Sequence, residues 1–294
     1  MLDLVNFYLI PGLVLGAIYA MSATGLSLIY GVMRFAHFAH GDLMALGAYV
    51  ALAASRAFGL SAWAAIPFAA AATVPAALLA DSLFYARLRR SLPAVLLISS
   101  FGTALMLRAL IYLLFGPTPV TFDRPLVPPL LVGGLRIQMR HVWIILGAAV
   151  AAALLHLLLS RTRAGRAMRA MSDDPDLARI TGVATDAVIR LTWTVAAILV
   201  AVAGVFLGVD TQLQPVMGFH VLLASFAAAI LGGIGRPWGA AFGGLILGIA
   251  EELSSFPVLD GAPLLEPTYK SAVAFAVLVA TLIVRPQGLF RGMI

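Results

Sequence analysis

The 294-residue sequence contains no cysteine. That excludes disulfides, zinc–thiolate sites and thiol catalysis. Charge is scarce too: 11% of residues are charged and 62% are hydrophobic, where soluble domains carry roughly 25% charged residues. The mean hydropathy is +1.02. A soluble monomer of this size lacks the polar surface to cover such a composition, so a cytosolic enzyme, a nucleic-acid binder and a disordered chain are excluded. No GxxxxGK[ST] phosphate loop occurs, so the chain is expected to bind no nucleotide. HExxH, GxSxG and paired acidic diphosphate motifs are missing as well, which argues against a membrane-embedded enzyme. Acids within apolar stretches are few, which argues against a secondary transporter coupled to ions or protons.

What is present is long apolar runs. A hydrocarbon core of about 30 Å needs roughly 20 apolar residues. Ala57–Ala80, His141–Ser160 and Leu191–Val209 are uncharged, and Leu4–Met33 is uncharged for one span plus extra length. The N-terminal run is too long for a signal-peptide core and has no basic residue before it, so it reads as a first span. The fold class is therefore all-α: a polytopic helical membrane protein of eight or nine segments in a single domain. Nine are placed, at 8–31, 41–55, 61–81, 92–115, 141–160, 189–209, 220–235, 237–257 and 268–284. Segments 41–55 and 220–235 are short enough to be half-helices or re-entrant pieces. Pro93, Gly102 and Arg108 mark 92–115 as a candidate for a break.

Arginine placement orients the chain. With 161–190 inside, Arg34, Arg87, Arg89, Arg90, Arg161, Arg163, Arg166, Arg169, Arg179, Arg190, Arg236, Arg285 and Arg291 face the cytoplasm, 13 of 19 basic residues. Arg56, Arg124, Arg136, Arg140 and Lys270 fall outside. The N-terminus is then external and the C-terminus cytoplasmic. Residues 116–140, rich in Pro and Gly, are expected to form an external loop with little regular structure.

The 161–190 loop is the only sizeable hydrophilic segment. Arg166 and Arg169 are three apart, as are Met168 and Met171, so one helix face is basic and another Met/Ala. Asp174 is placed to N-cap a second helix with Pro175 at its first position, and Gly182 to end it. Leu177 and Ile180 share a face between them, and Thr185 or Asp186 would cap the next span. Two readings stand: a solvated, topology-setting loop, or a docking element that offers Met168, Met171, Leu177 and Ile180 as apolar knobs to a cytosolic partner.

Four stretches together resemble a known family. They are GLVLGAIYAMSATGLSLIYGVMRFAHFAHGDLMALGAY (12–49), GRAMRAMSDDPDLARITGV (165–183), LLASFAAAILGGIGRPWGAAFGGLILGIAEEL (222–253) and RPQGLF (285–290). In this order they resemble the permease subunits of branched-chain amino-acid ABC importers, the LivH-like member of the pair. The resemblance implies a second homologous permease subunit, two cytosolic ABC ATPases carrying the ATP and Mg, and an external solute-binding protein, all in a bacterial or archaeal cytoplasmic membrane. This chain would carry no cofactor of its own and touch lipid, not nucleic acid. The 165–183 stretch is the counterpart of the family's ATPase-coupling segment. The cargo implied is branched-chain amino acids, with amides, urea or other amino acids as the alternative. One position departs: where the family usually has Asn, this chain has His37.

Within the membrane, His37, His40, Gly41 and Asp42 sit where the first span gives way to a short one, and a broken helix can present polar groups to a cargo. The competing reading is hydrated interfacial histidines. Gln212, Gln214 and His220, around Pro215 and Gly218, would line an outer mouth or form an ordinary turn. Gly235, Gly239 and Gly243, with Gly244 and Gly248, form small-residue spacings for close helix packing, as do Gly12 and Gly16. Glu251 and Glu252 end that helix near the external interface, hydrated or functional. Arg108 must either snorkel outward or pair with an acid.

Overall fold

The protein is described by a computed structural model covering residues 2–89, 91–122, 128–259, 262–263, 265–266 and 269–290. Arg90, Arg124 and Arg291, used above for orientation, lie outside the described residues. The helices are α1 (Leu2–Met33), α2 (Ala39–Phe58), α3 (Ile66–Leu88), α4 (Pro93–Phe115), α5 (Met139–Arg161), α6 (Arg163–Asp173), α7 (Pro175–Ile180), α8 (Thr185–Asp210), α9 (Met217–Gly232), α10 (Pro237–Leu253) and α11 (Lys270–Val284).

All but α6 and α7 fall on the nine expected segments. Five of them, α1, α3, α4, α5 and α8, are each long and apolar enough to cross a bilayer; α9 and α10, bent by 119° at their junction, make a sixth as a pair. The helix α2 is long enough but carries His40, Asp42 and Arg56. The suspected break in α4 does not occur: the helix runs unbroken over 23 residues with Pro93 in its first turn, where a missing N–H costs nothing. The external loop is also more regular than expected. The strands β1 (Leu130–Val132) and β2 (Leu135–Ile137) pair antiparallel around Gly133 and Gly134, both at positive φ.

Side-chain contacts separate the two ends of the bundle. At one end Asn6 bonds to Gly134 and Arg136 of the hairpin, and Lys270 meets Glu252 at 2.7 Å. At the other, Arg34 donates to the carbonyl of Ser172 on α6, Arg236 to that of Phe290, and Arg89 approaches Asp186 at 3.6 Å. The arginine-rich loops thus share one end, which the positive-inside bias makes cytoplasmic.

The core is built on α1 and α8. In their most apolar windows, 44% of α1 and 78% of α8 are buried, against 17% for α5. The apolar faces of α4, α5 and α11 that remain exposed suit lipid or a partner. The most extensive helix contact runs between α1 and α10. A Cβ on Gly244 would overlap the backbone of Ala20 on α1, and one on Gly248 that of Gly16. Gly12 and Gly16 face back toward Ile249 and Leu245. Gly239 and Gly243 lie on another face of α10, against Gly232 and Ala228 of α9. Gly235, expected on the same helix, is not helical: it sits in the α9–α10 turn with φ +83°, because the chain must reverse there before Pro237.

Gly244→Val should destabilise the purified chain in detergent by about 3 kcal/mol, since there is only backbone to yield. Gly102→Ala, where a Cβ meets nothing within 4 Å, should stabilise it by about 0.5–1 kcal/mol through helix propensity. Thermal unfolding of both variants checks this.

Candidate functional site: a broken-helix centre and a capped cytoplasmic element

The helix α1 ends at Arg34, which adopts the left-handed conformation (φ 57°). The following residues run back alongside α1, so that His40 Nε2 lies 3.0 Å from the carbonyl of Ser22. Ser22 is 11 residues before the end of α1, a rise of about 16 Å. The helix α2 therefore starts inside the bundle, not at its surface. The helix α9 does the same from the opposite end. Its Gly218 meets Gly41 so closely that a Cβ on either would overlap the other's carbonyl, and Ser225 donates to Ser22 at 2.8 Å. Two helix N-termini thus converge in the interior.

Around this meeting point lie the polar residues. His37, His40 and Asp42 are fully buried, so the histidines are not hydrated interfacial groups. His37 Nε2 lies 3.2 Å from the Tyr85 hydroxyl, and its ring is edge-on to Trp193 at 4.8 Å. Tyr85 and Trp193 stack at 5.5 Å. Nδ1 of His37 and of His40 and Nε1 of Trp193 have no hydrogen-bond partner among the described residues, a cost of about 1–3 kcal/mol for each orphaned group.

Arg108 does not snorkel. Its Nε and Nη2 donate to the two carboxylate oxygens of Asp42 at 2.9 and 3.1 Å, and its guanidinium lies 5.0 Å from the Phe219 ring centroid. Glu251 is likewise not simply hydrated. It is 3% exposed and accepts from the Tyr19 hydroxyl at 2.8 Å, while Glu252 pairs with Lys270.

Gln212 and Gln214 lie on the α8–α9 connection, exposed and half-buried. Leu213 between them bridges Val120 through two backbone hydrogen bonds. His220 is exposed within the first turn of α9, beside Phe219. The structure therefore brings His37, His40, Gly41 and Asp42 together with the start of α9, and leaves the glutamines on the approach to it. The sequence reading missed Ser22, Tyr85, Trp193 and Phe219. It left the partner of Arg108 unnamed. Among the described residues no group of three or more His, Asp or Glu is placed to hold a metal ion.

The cytoplasmic loop folds into α6 and α7. The Thr162 side chain accepts from Gly165 N at 2.9 Å to cap α6. Asp174 accepts from the amides of Asp176 and Leu177, both at 3.0 Å, to cap α7. Gly182, at φ +85°, closes it. Neither Thr185 nor Asp186 caps α8, which is preceded by Ala184 without a side-chain cap. The apolar residues divide. Met168 and Met171, 2% and 4% exposed, point into the bundle, whereas Leu177 and Ile180, 57% and 82% exposed, point away from it. Met168 and Ser172 line a crevice with Leu28, Gly31 and Val32 of α1. Arg166 is exposed and Arg169 half-buried beside them.

This is the construction of a membrane permease: long apolar helices around interrupted ones, with polar groups held at the interruption. Residues 8–282 match the family described as branched-chain amino acid transport system permease component, and the chain belongs to that family. It is 34% identical to LivH of Salmonella typhimurium, a high-affinity branched-chain amino acid transport system permease protein, over 95% of this chain and 92% of that one. It is 31% identical to BraD of Pseudomonas aeruginosa, over 96% and 94%. A probable LivH of Methanocaldococcus jannaschii is 26% identical over 91% and 86%. Among solved structures, PsaBC of Streptococcus pneumoniae, in complex with Fab, superposes with a TM-score of 0.54 at 15% identity, covering 97% of this chain and 95% of that one, a likeness of fold.

Removing the α7 cap should loosen that helix alone. Asp174→Ala is expected to cost about 1 kcal/mol, read as faster amide exchange at 176–180 with the spans unchanged.

Proposed function

We propose that the chain is one of the two permease subunits of an ATP-driven importer in a bacterial or archaeal cytoplasmic membrane. Its cargo on this reading is branched-chain amino acids, delivered by an external solute-binding protein. Two cytosolic ABC ATPases, which hold the ATP and Mg, drive it. The observation that carries the reading is the capped α6–α7 element. It leaves Leu177 and Ile180 bare at the arginine-rich end, and two bare apolar side chains on a rigid, capped helix suit a partner's groove.

The same element supplies a route for coupling. A partner seated on Leu177 and Ile180 bears on α7, and α6 follows through the short link at Asp174. Met168 and Met171 lock α6 into the bundle, and Arg34 ties its end to the end of α1. Arg34 is also where α1 yields to the interior start of α2. Movement of the cytoplasmic element is thereby applied at the break that holds His37, His40, Gly41 and Asp42. On this reading Gln212, Gln214 and His220 form the outer approach, and Arg166 and Arg169 flank the ATPase contact. The chain itself hydrolyses no ATP.

Burial of one Leu-sized side chain contributes roughly 1.5–3 kcal/mol. Leu177→Asp with Ile180→Asp should leave the chain inserted and folded, and weaken ATPase co-purification by about 100-fold or more. Normal assembly and uptake by this variant would overturn the coupling assignment.

The absence of native cysteine makes labelling direct. Cysteines at Gln212 and His220 should react with an impermeant maleimide added outside. Cysteines at His37 and His40 should be protected in one nucleotide state and exposed in another. Protection in every state would make the break a packing feature.

A further inference from the structure

We infer that Asp42 and Arg108 form the subsite for the charged head of a zwitterionic cargo, Arg108 taking its α-carboxylate and Asp42 its α-ammonium. The inference rests on the importer reading and deepens it from a cargo class to two named contacts.

The geometry is that of a carboxylate site already in use. Arg108 presents Nε and Nη2 as a fork to the two oxygens of Asp42, at 2.9 and 3.1 Å. An α-carboxylate has the same two-oxygen edge and fits the same fork. The pair also sits at the right depth. Arg108 is 15 residues along α4, about 22 Å from its cytoplasmic start. Asp42 is in the first turn of α2, next to the Gly41–Gly218 contact.

Exposure is one-sided. The Asp42 side chain is fully covered and that of Arg108 is 17% exposed, so the guanidinium is the accessible half of the pair. It adjoins Phe219, and the next residue on α9, His220, is exposed. Cationic and imidazole groups at membrane depth belong on a water-filled face, not a lipid one.

An apolar surface continues from the pair toward the cytoplasm. Phe101 lies seven residues before Arg108 on α4, and Phe226 seven after Phe219 on α9, so each shares a face with its partner. Phe38 bridges them, at 6.2 Å from Phe101 and 5.3 Å from Phe226. A branched aliphatic side chain has there a surface of its own polarity.

Exchange keeps every charge paired. Arg108 swings from Asp42 onto the cargo carboxylate, and the freed Asp42 takes the ammonium. When the cargo leaves, the two residues close on each other again. One ion pair becomes two and reverts, so that neither the loaded nor the empty path holds a lone ion. Such a site binds weakly enough to release, as a transit site requires.

The test uses the assembled transporter in proteoliposomes and displacement of labelled leucine without the binding protein. The competitors are leucine, leucinamide (ammonium only) and 4-methylpentanoate (carboxylate only). In the native protein leucine should compete at least about ten-fold better than either analogue. Arg108→Gln should bring leucinamide level with leucine, and Asp42→Asn should do so for 4-methylpentanoate. A pair that merely pins helices would change all three together and leave their ranking intact, and that result overturns the inference.

Where a single variant does not assemble, the neutral double variant Arg108→Gln with Asp42→Asn decides. Leucine should lose its advantage over both analogues. A retained advantage, or failure of the double variant to assemble, overturns the inference. ATP-driven leucine uptake by the native assembly is measured alongside. Its absence would overturn the importer reading, whereas uptake without displaceable leucine overturns the subsite alone.

Discussion

A bilayer interior offers no water to an open helix end, and this constraint organises the rest of the structure. Two helices, α2 and α9, begin inside the bundle, where first-turn N–H groups have no bulk water and the residues just before them take up only part of the need, as the Gln214 carbonyl does for Met217 N. They are tolerated because they meet each other at Gly41 and Gly218 and are enclosed by α1, α4 and α8. Ser22 and Ser225 bond across that enclosure, His40 reaches the Ser22 carbonyl, and Asp42 has its own cation in Arg108. Remove the close approach of the two glycines and these polar groups would lie in hydrocarbon. Much of the buried polar chemistry is thus gathered in one place, held by residues from six helices, Tyr85 of α3 and Trp193 of α8 included.

Much of this was legible in the sequence, for physical reasons. Nine segments could be placed because apolar run length maps onto bilayer thickness. The α6–α7 element could be drawn because Asp174, Pro175 and Gly182 are local signals, each acting within a turn of itself. The long-range pairings were not legible. Nothing near Arg108 in sequence points to Asp42, 66 residues away, since ion pairing depends on which helices become neighbours. For the same reason Met168 and Met171 looked like partner-facing knobs: periodicity gives a shared face but not which way it turns. Pro93 was over-read, because in the first turn of a helix its missing N–H removes no hydrogen bond. His37 stands where relatives are expected to carry Asn. It proves to be enclosed by Tyr85 and Trp193, so its identity bears first on how the break is packed.

The cytoplasmic end shows why a short capped helix serves where a flexible loop would not. Three contacts of different kinds converge on α6: apolar burial of Met168 and Met171, the Arg34 bond to Ser172, and the tight turn into α7 at Asp174. On the proposed coupling, the inward methionines would fasten α6 and the outward Leu177 and Ile180 of α7 would receive the partner.

The glycine seam between α1 and α10 carries a mechanical implication. Where backbone lies on backbone, no side chains exist to slip from one rotamer arrangement to another, so the contact has no second register to ratchet into. The two helices behave as a single beam. A change of access must then be accommodated at the beam's ends, where the chain already departs from helix: at the left-handed Arg34, and in the turn carrying Gly233 and Gly235. Both joints lie at the arginine-rich end, the end where the proposed ATPase contact would bear.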